Sequence, residues 1–201
     1  MCFKTKGELK VPPKQKFSKE EIVTAALEIV RKEGVDALTA RRLGDELNSS
    51  SRPIFTVFRS MNELVHETVM AARALYNQYI ARALTDEKPF KATGMAYIRF
   101  AMDEPKLFTL LFMKENQKAH DLSEVLKAID ENSNSILNEI KREYGLDDEK
   151  AHLIYQYLWI FTHGIATLSV TGVCSFEDEE IDKMLTDVFI SILIRIKAGD
   201  I

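Results

Sequence analysis

The sequence predicts an all-α fold: an N-terminal unit of three short helices, followed by a larger helical body, about nine helices in all. Three observations carry this. Apolar residues recur three and four apart through most of the 201-residue chain, and no run alternates as a strand would. Hydroxyl and acidic residues stand just ahead of these periodic segments, twice in the spacing of a capping box. Residues Thr39 to Phe58 (TARRLGDELNSSSRPIFTVF) hold two short periodic segments separated by a polar turn.

Residues 1–16 form a flexible basic arm, in which Lys4, Lys6, Lys10, Lys14 and Lys16 are opposed by Glu8 alone. It reads either as a solvated tail or as an arm that touches phosphates. Ser18-Lys19-Glu20-Glu21 opens the first helix as a capping box, with Phe17 placed to pack on Ile22 as a hydrophobic staple. Ile22, Ala25, Ala26, Ile29 and Val30 give that helix one apolar side, and Gly34 ends it. Thr39 caps the second helix, whose Leu43 and Leu47 share a face. Asn48 marks the reversal, since Asn tolerates a left-handed backbone better than most residues. Ser50 is expected to cap a third helix, with Pro53 in its first turn and Ile54, Phe55 and Phe58 on its apolar side. Two short helices joined by such a turn make a helix-turn-helix, whose second helix enters the major groove of DNA.

A second capping box, Ser60-Met61-Asn62-Glu63, opens a long helix that runs to about Leu84 and breaks at Thr85-Asp86-Glu87-Lys88-Pro89. A helix from about Phe90 to Met102 follows, then a short apolar one from Lys106 to Met113, then a polar connector to His120. Asp121-Leu122-Ser123-Glu124 looks like the start of one helix that ends at Gly145. Asp147 or Asp148 opens a long apolar helix that fades at Gly172, and Ser175 is expected to cap the last, which carries Ile181, Met184-Leu185, Val188-Phe189, Ile192-Leu193 and Ile196. The chain thus divides into the arm 1–16, a helix-turn-helix domain 17–64 and a body 65–201.

Ile22, Ala25-Ala26, Gly34, Leu38-Thr39, Leu43, Leu47, Ser50, Ile54-Phe55, Phe58 and Glu63-Leu64 fall at a recurrent family spacing. In them the chain resembles the tetracycline-repressor (TetR) family of bacterial transcription regulators. The resemblance is close over the first third and extends to the rest in helical layout and length. Four positions depart from it: Asn48 stands where Gly is usual, Ser49 where Val is, Phe55 where a Tyr hydroxyl often bonds phosphate, and Met61 where a Lys often does. The resemblance implies a ligand-responsive regulator, a repressor binding a pseudo-palindromic operator as a homodimer, with an effector pocket in the body. The alternative is an all-helical dimeric binding protein whose DNA recognition is weakened or lost.

From the helix-turn-helix frame, DNA contacts are expected at Thr39, Arg41, Arg42, Ser50, Ser51, Arg52, Pro53, Phe55 and Phe58, with Arg52 as the candidate for a base edge. The density of Phe and Met between Met95 and Met113 suggests an effector site lined by Phe100, Phe108, Phe112 and Met113, suited to an apolar or amphipathic small molecule. The two long C-terminal helices, apolar on more than one face, are expected to form a two-fold dimer interface.

The formal net charge of −4 conceals an asymmetry: residues 1–65 carry +3 and the remainder −7. Two cysteines, Cys2 and Cys174, are not at metal-ligand spacing and fit a reducing, cytoplasmic setting. Residues 153–170 lack Lys, Arg, Asp and Glu, but Gln156, Thr162, His163, Thr167 and Ser169 make a poor membrane span. His152, Trp159 and His163 share a helix side without a carboxylate or thiol at ligand spacing, so packing rather than metal binding is expected. No nucleophile motif or Gly-rich phosphate loop points to an enzyme, and no cofactor is implied.

Overall fold

The computed structural model describes residues 16–113, 121–129 and 131–201. Most of the basic arm and the connector 114–120 lie outside them. The described residues form nine α-helices and two short 3-10 turns, without a strand. They are α1 (Lys19–Glu33), α2 (Ala40–Glu46), α3 (Met61–Ala83), α4 (Pro89–Asp103), α5 (Pro105–Phe112), α6 (Leu122–Ile129), α7 (Ser133–Tyr144), α8 (Asp148–Val170) and α9 (Asp178–Ala198).

The first helix begins and ends as its sequence dictates. Ser18 Oγ accepts from Glu21 N–H at 3.1 Å, and Glu21 Oε2 accepts from Ser18 N–H at 2.7 Å, which closes a reciprocal capping box. Gly34 terminates α1 at φ 90, a backbone angle open to glycine, and donates its N–H to the Val30 carbonyl at 2.9 Å. Ile22, Ala26, Ile29 and Val30 are fully buried.

Three local expectations are revised. The segment after the turn is a 3-10 turn (Ile54–Thr56) rather than an α-helix, and Pro53 rather than Ser50 stands at its N-cap. Pro53 disfavours helical backbone at Arg52, so helical structure starts only at the proline. The cap at Ser60 then leaves room for little more than one turn, and β-branched Thr56 and Val57 do not extend it. The single helix expected between Asp121 and Gly145 is two, α6 and α7. Asn132 Nδ2 donates to Asn77 Oδ1 at 3.0 Å, and Asn77 Nδ2 donates to Glu131 Oε2 at 3.1 Å, so the break is tied to α3 by side chains that favour turns. At the last helix Glu177, not Ser175, is the N-cap, without a side-chain cap bond, and Asp178, Glu179 and Glu180 in the first turn face the positive end of the helix dipole.

The α3 helix joins the two parts of the molecule. Its buried residues Leu64, Thr68, Ala72, Tyr76 and Ile80 recur every four positions as one stripe. At 1.5 Å per residue it spans about 34 Å, packing on α1 at one end and on α4 and α5 further along. In the body α4 packs most extensively on α8, and α8 also contacts α7 and α9. Among the described residues no helix is long and apolar enough to cross a membrane.

Candidate functional site

The face built by α2, the turn and the 3-10 segment is rigid at its base. Thr39 Oγ1 accepts from Arg42 N–H at 3.1 Å, which starts α2. Asn48 takes φ 48, the left-handed conformation its position requires, and Ser49 N–H donates to the Gly44 carbonyl at 2.9 Å. A Cβ on Gly44 would lie 3.0 Å from the Ser49 carbonyl oxygen and 3.1 Å from Ser51 N, so the glycine lets the serine turn sit directly on α2. Gly44 is a residue that sequence reading passed over, since an isolated glycine inside a helical pattern carries no sign of what approaches it.

From this base Thr39, Arg41, Ser50, Arg52 and Phe55 are exposed, while Ser51 and Pro53 are half-buried. Phe58 is corrected: at 1% exposure it belongs to the core, where it anchors the end of the segment and cannot reach a ligand. The arginines separate into two kinds. Arg42 is held by intramolecular bonds, with Nε and Nη2 donating to Glu33 Oε1 at 3.0 and 2.7 Å and Nη1 to Glu46 Oε2 at 2.8 Å. Those bonds, Glu33 first, raise its pKa further above an already high value. Arg41 and Arg52 have no carboxylate at ion-pair distance among the described residues. Lys16 Nζ donates to Ser49 Oγ at 2.9 Å, so this lysine lies beside the turn.

Behind this face, Arg31 of α1 grips Glu104 at the α4–α5 corner. Its Nε donates to Glu104 Oε2 at 2.8 Å and its Nη2 to Oε1 of the same carboxylate, a two-pronged contact to a side chain only 9% exposed. Arg31 Nη1 also donates to Glu28 at 2.8 Å. Beside it the Tyr79 hydroxyl donates to Asp103 Oδ2 at 3.2 Å, and burial together with that carboxylate pushes the phenol pKa up. The 73-residue separation of Arg31 and Glu104 hides this contact from sequence reasoning.

The body encloses a cavity of about 290 Å³ between α3, α4, α7, α8 and α9. Tyr76, Ile80, Phe90, Gly94, Tyr97, Ile136, Tyr155, Leu158, Trp159 and Leu185 are among its walls, and Lys88, Glu143, Tyr144 and Phe189 lie toward its rim. Gly94 keeps the space open: its missing Cβ would meet Leu185 Cδ1 at 3.6 Å and Thr162 Oγ1 at 3.9 Å. The lining expected from sequence is corrected. Phe100 and Phe108 are fully buried, Phe112 is half-buried and Met113 is 38% exposed, and none of the four lines the cavity. Helical periodicity turns them behind it. Tyr76 meets Phe100 and Phe112 edge-on at centroid distances of 5.3 and 5.0 Å, and Tyr97 meets Phe108 at 5.4 Å, so the phenylalanines back the tyrosines that do line it. His163 stacks on Trp159 with centroids 4.8 Å apart, and its Nδ1 lies 2.9 Å from the Tyr97 hydroxyl. Burial lowers its pKa and favours the neutral imidazole. His152 is exposed, with Nδ1 2.7 Å from the Asp148 carbonyl.

Residues 90–189, which hold α4 to α8 and much of α9, match the family described as tetracyclin repressor-like, C-terminal domain. The chain belongs to the tetracycline-repressor family. It is also similar to an uncharacterized HTH-type transcriptional regulator of Mycobacterium tuberculosis, 25% identical over 191 residues that cover 92% of this chain and 82% of the relative. The helical body and the helix-turn-helix unit thus stand together in one transcription regulator, from a family without enzymatic activity.

Proposed function

We propose that this regulator is a ligand-responsive repressor that works in the cytoplasm and binds a pseudo-palindromic operator as a homodimer. Residues 17–64 act as the DNA-reading domain and residues 65–201 as the effector-binding and dimerisation domain. The observation that carries the ligand response is the apolar cavity, whose walls belong to α3, which packs on α1, and to α4, which ends at the Glu104 held by Arg31. A ligand that displaces α4 moves Glu104 at its end, and with it Arg31 and α1. The two readers then no longer match half-sites about 34–36 Å apart. A coupling of about 1–3 kcal/mol is enough for such a response.

Thr39, Arg41, Ser50, Ser51, Arg52, Pro53 and Phe55 form the DNA face, with Arg52 reaching a base edge and Arg41 a phosphate. Arg42 joins them as a positioning residue, because its guanidinium is engaged with Glu33 and Glu46. An exposed apolar stripe on α8 (Tyr157, Ile160 and Leu168) continued by Ile190 and Ile194 on α9 supports the two-fold dimer.

The experiment is a mobility shift with the chain's own promoter DNA at rising salt, on the wild type and on Gly94→Leu. The wild type should bind specifically and be released by cavity ligands. The Gly94→Leu protein, its cavity filled, should bind equally well but not be released. Promoter DNA that binds no better than random DNA at any salt overturns the reading.

A further inference from the structure

We propose that the effector is an amphipathic organic anion, with an apolar body of about ten carbon atoms in the cavity and one anionic head held at the rim by Lys88. This rests on the ligand-responsive reading above and names the ligand's chemistry. Size sets the body: a dry apolar cavity of about 150 Å³ holds a benzene, and this one is roughly twice as large.

The deep walls offer a charge no counter-ion among the described residues, and their polar atoms belong to neutral side chains such as Tyr76, Tyr97, Tyr155 and Trp159. These walls are aliphatic and aromatic, and the Thr93 and Thr162 hydroxyls already donate to the carbonyls of Phe90 at 2.8 Å and Leu158 at 2.6 Å. An ionised group buried there would lose its hydration without gaining a counter-charge, so a ligand's charge remains at the rim.

The sign of that charge follows from which rim groups are already satisfied. Lys91 Nζ lies 2.6 Å from Asp182 Oδ1, so this lysine and this aspartate neutralise each other. Glu143 accepts from the Tyr144 hydroxyl at 2.6 Å, and Asp86 accepts from the Lys88 backbone N–H at 3.0 Å. Each nearby carboxylate therefore has a donor, although the neutral donors of Glu143 and Asp86 leave those two charges in place. The Lys88 ammonium and the Arg82 guanidinium have no acceptor among the described residues. Lys88 lines both the cavity and a groove that continues past Arg82, so the charged groups along the exit path that lack a hydrogen-bond partner among the described residues are cations.

Trp159, the only tryptophan in the chain, lines the cavity, so its fluorescence reports occupancy directly. Decanoate, decanol and decyltrimethylammonium are titrated into the full chain, the wild type and Lys88→Glu in parallel, with helix content checked by circular dichroism. The wild type should bind decanoate about tenfold more tightly than decanol and the cation least, as a charge-assisted contact predicts. Lys88→Glu should abolish the preference for decanoate while leaving decanol unchanged, and added salt should weaken only decanoate. Equal binding of decanoate and decanol, or a preference for decanoate that survives Lys88→Glu, overturns the anion and leaves the ligand-responsive reading standing. If none of the three probes alters Trp159 fluorescence or operator affinity, both fail.

Discussion

Between Lys16 and Ser60 one large apolar side chain is substantially exposed, Phe55 at 47%, and Arg41 and Arg52 are exposed as well. The body leaves many more uncovered, and on α8 and α9 they fall at helical spacing: Tyr157, Ile160 and Leu168, then Ile190 and Ile194. The body also keeps a cavity, whereas Gly44 lets the reader close backbone against backbone. The two regions obey the same packing rules with different ends. A surface that must match a DNA groove has to hold one shape, so its core is filled and its one exposed ring belongs to the proposed DNA face. The body keeps apolar area in reserve, outside where the proposed second copy would pack and inside where the proposed ligand would bind.

The largest expected effect tests the external reserve. Ile160→Asp combined with Ile194→Asp should give a monomer with unchanged helix content, seen by sedimentation. Operator binding should fall by about two orders of magnitude or more, because the second half-site no longer adds to the first. A variant that remains dimeric would move the interface elsewhere.

Next comes the contrast within the reader. Arg52→Ala should cost about 1–3 kcal/mol of operator affinity, concentrated at one base pair. Arg42→Ala should cost clearly less and act evenly on all sequences, since the pairs it loses are on the surface. The check is a binding series over operators substituted one base pair at a time. Equal losses would erase the distinction between a free and an engaged arginine.

Arg31 and Arg42 sharpen the comparison further. Both are held by carboxylates, yet Arg42 links neighbours on the reader surface and Arg31 ties the reader to a largely buried Glu104 of the body. Glu104→Gln should lower unfolding stability by about 1–2 kcal/mol, less than a fully buried pair would, because Arg31 remains 38% exposed. It should also shrink the factor by which a cavity ligand changes operator affinity, which a mobility shift with and without ligand would read. Glu33→Gln, which disturbs only the Arg42 side, should leave that factor intact.

The smallest effect is a pH dependence of the body alone. Burial holds the folded His163 below its ordinary value of 6.5. As pH falls through that value the unfolded chain takes up a proton and the folded one resists, so the unfolded state binds more protons and stability declines. The melting temperature should drop on the acidic side, and His163→Gln should flatten that slope without altering the neutral-pH plateau.

Local signals were legible wherever one element states its own boundary. Ser18 and Glu21, Thr39, Asn48 and Ser60 act where their types predict, because a cap or a left-handed turn is settled within a few residues. Even there a limit shows: Glu63 accepts from Arg59 N–H at 2.7 Å rather than from Ser60, so one half of the second capping box is displaced by a residue. The third helix was misread for a local reason of another kind, since the apolar spacing of Ile54 and Phe58 fits a helix while Pro53 limits where one can start.

The sequence by itself determined an all-helical chain with a helix-turn-helix at its head and two long apolar helices at its tail, because periodicity, caps and turn residues act over short distances. Only the tertiary structure decided which side chains face one another. It turned Phe100 and Phe108 behind the cavity and brought Tyr76, Trp159 and Leu185 to its walls from three separate helices. It paired Arg31 with Glu104, engaged Arg42 and left Lys88 without an acceptor among the described residues. Composition counts aromatic rings and charges, but whether a ring is wall or core, and whether a charge is spoken for or free, depends on the rotation and docking of helices far apart in the chain.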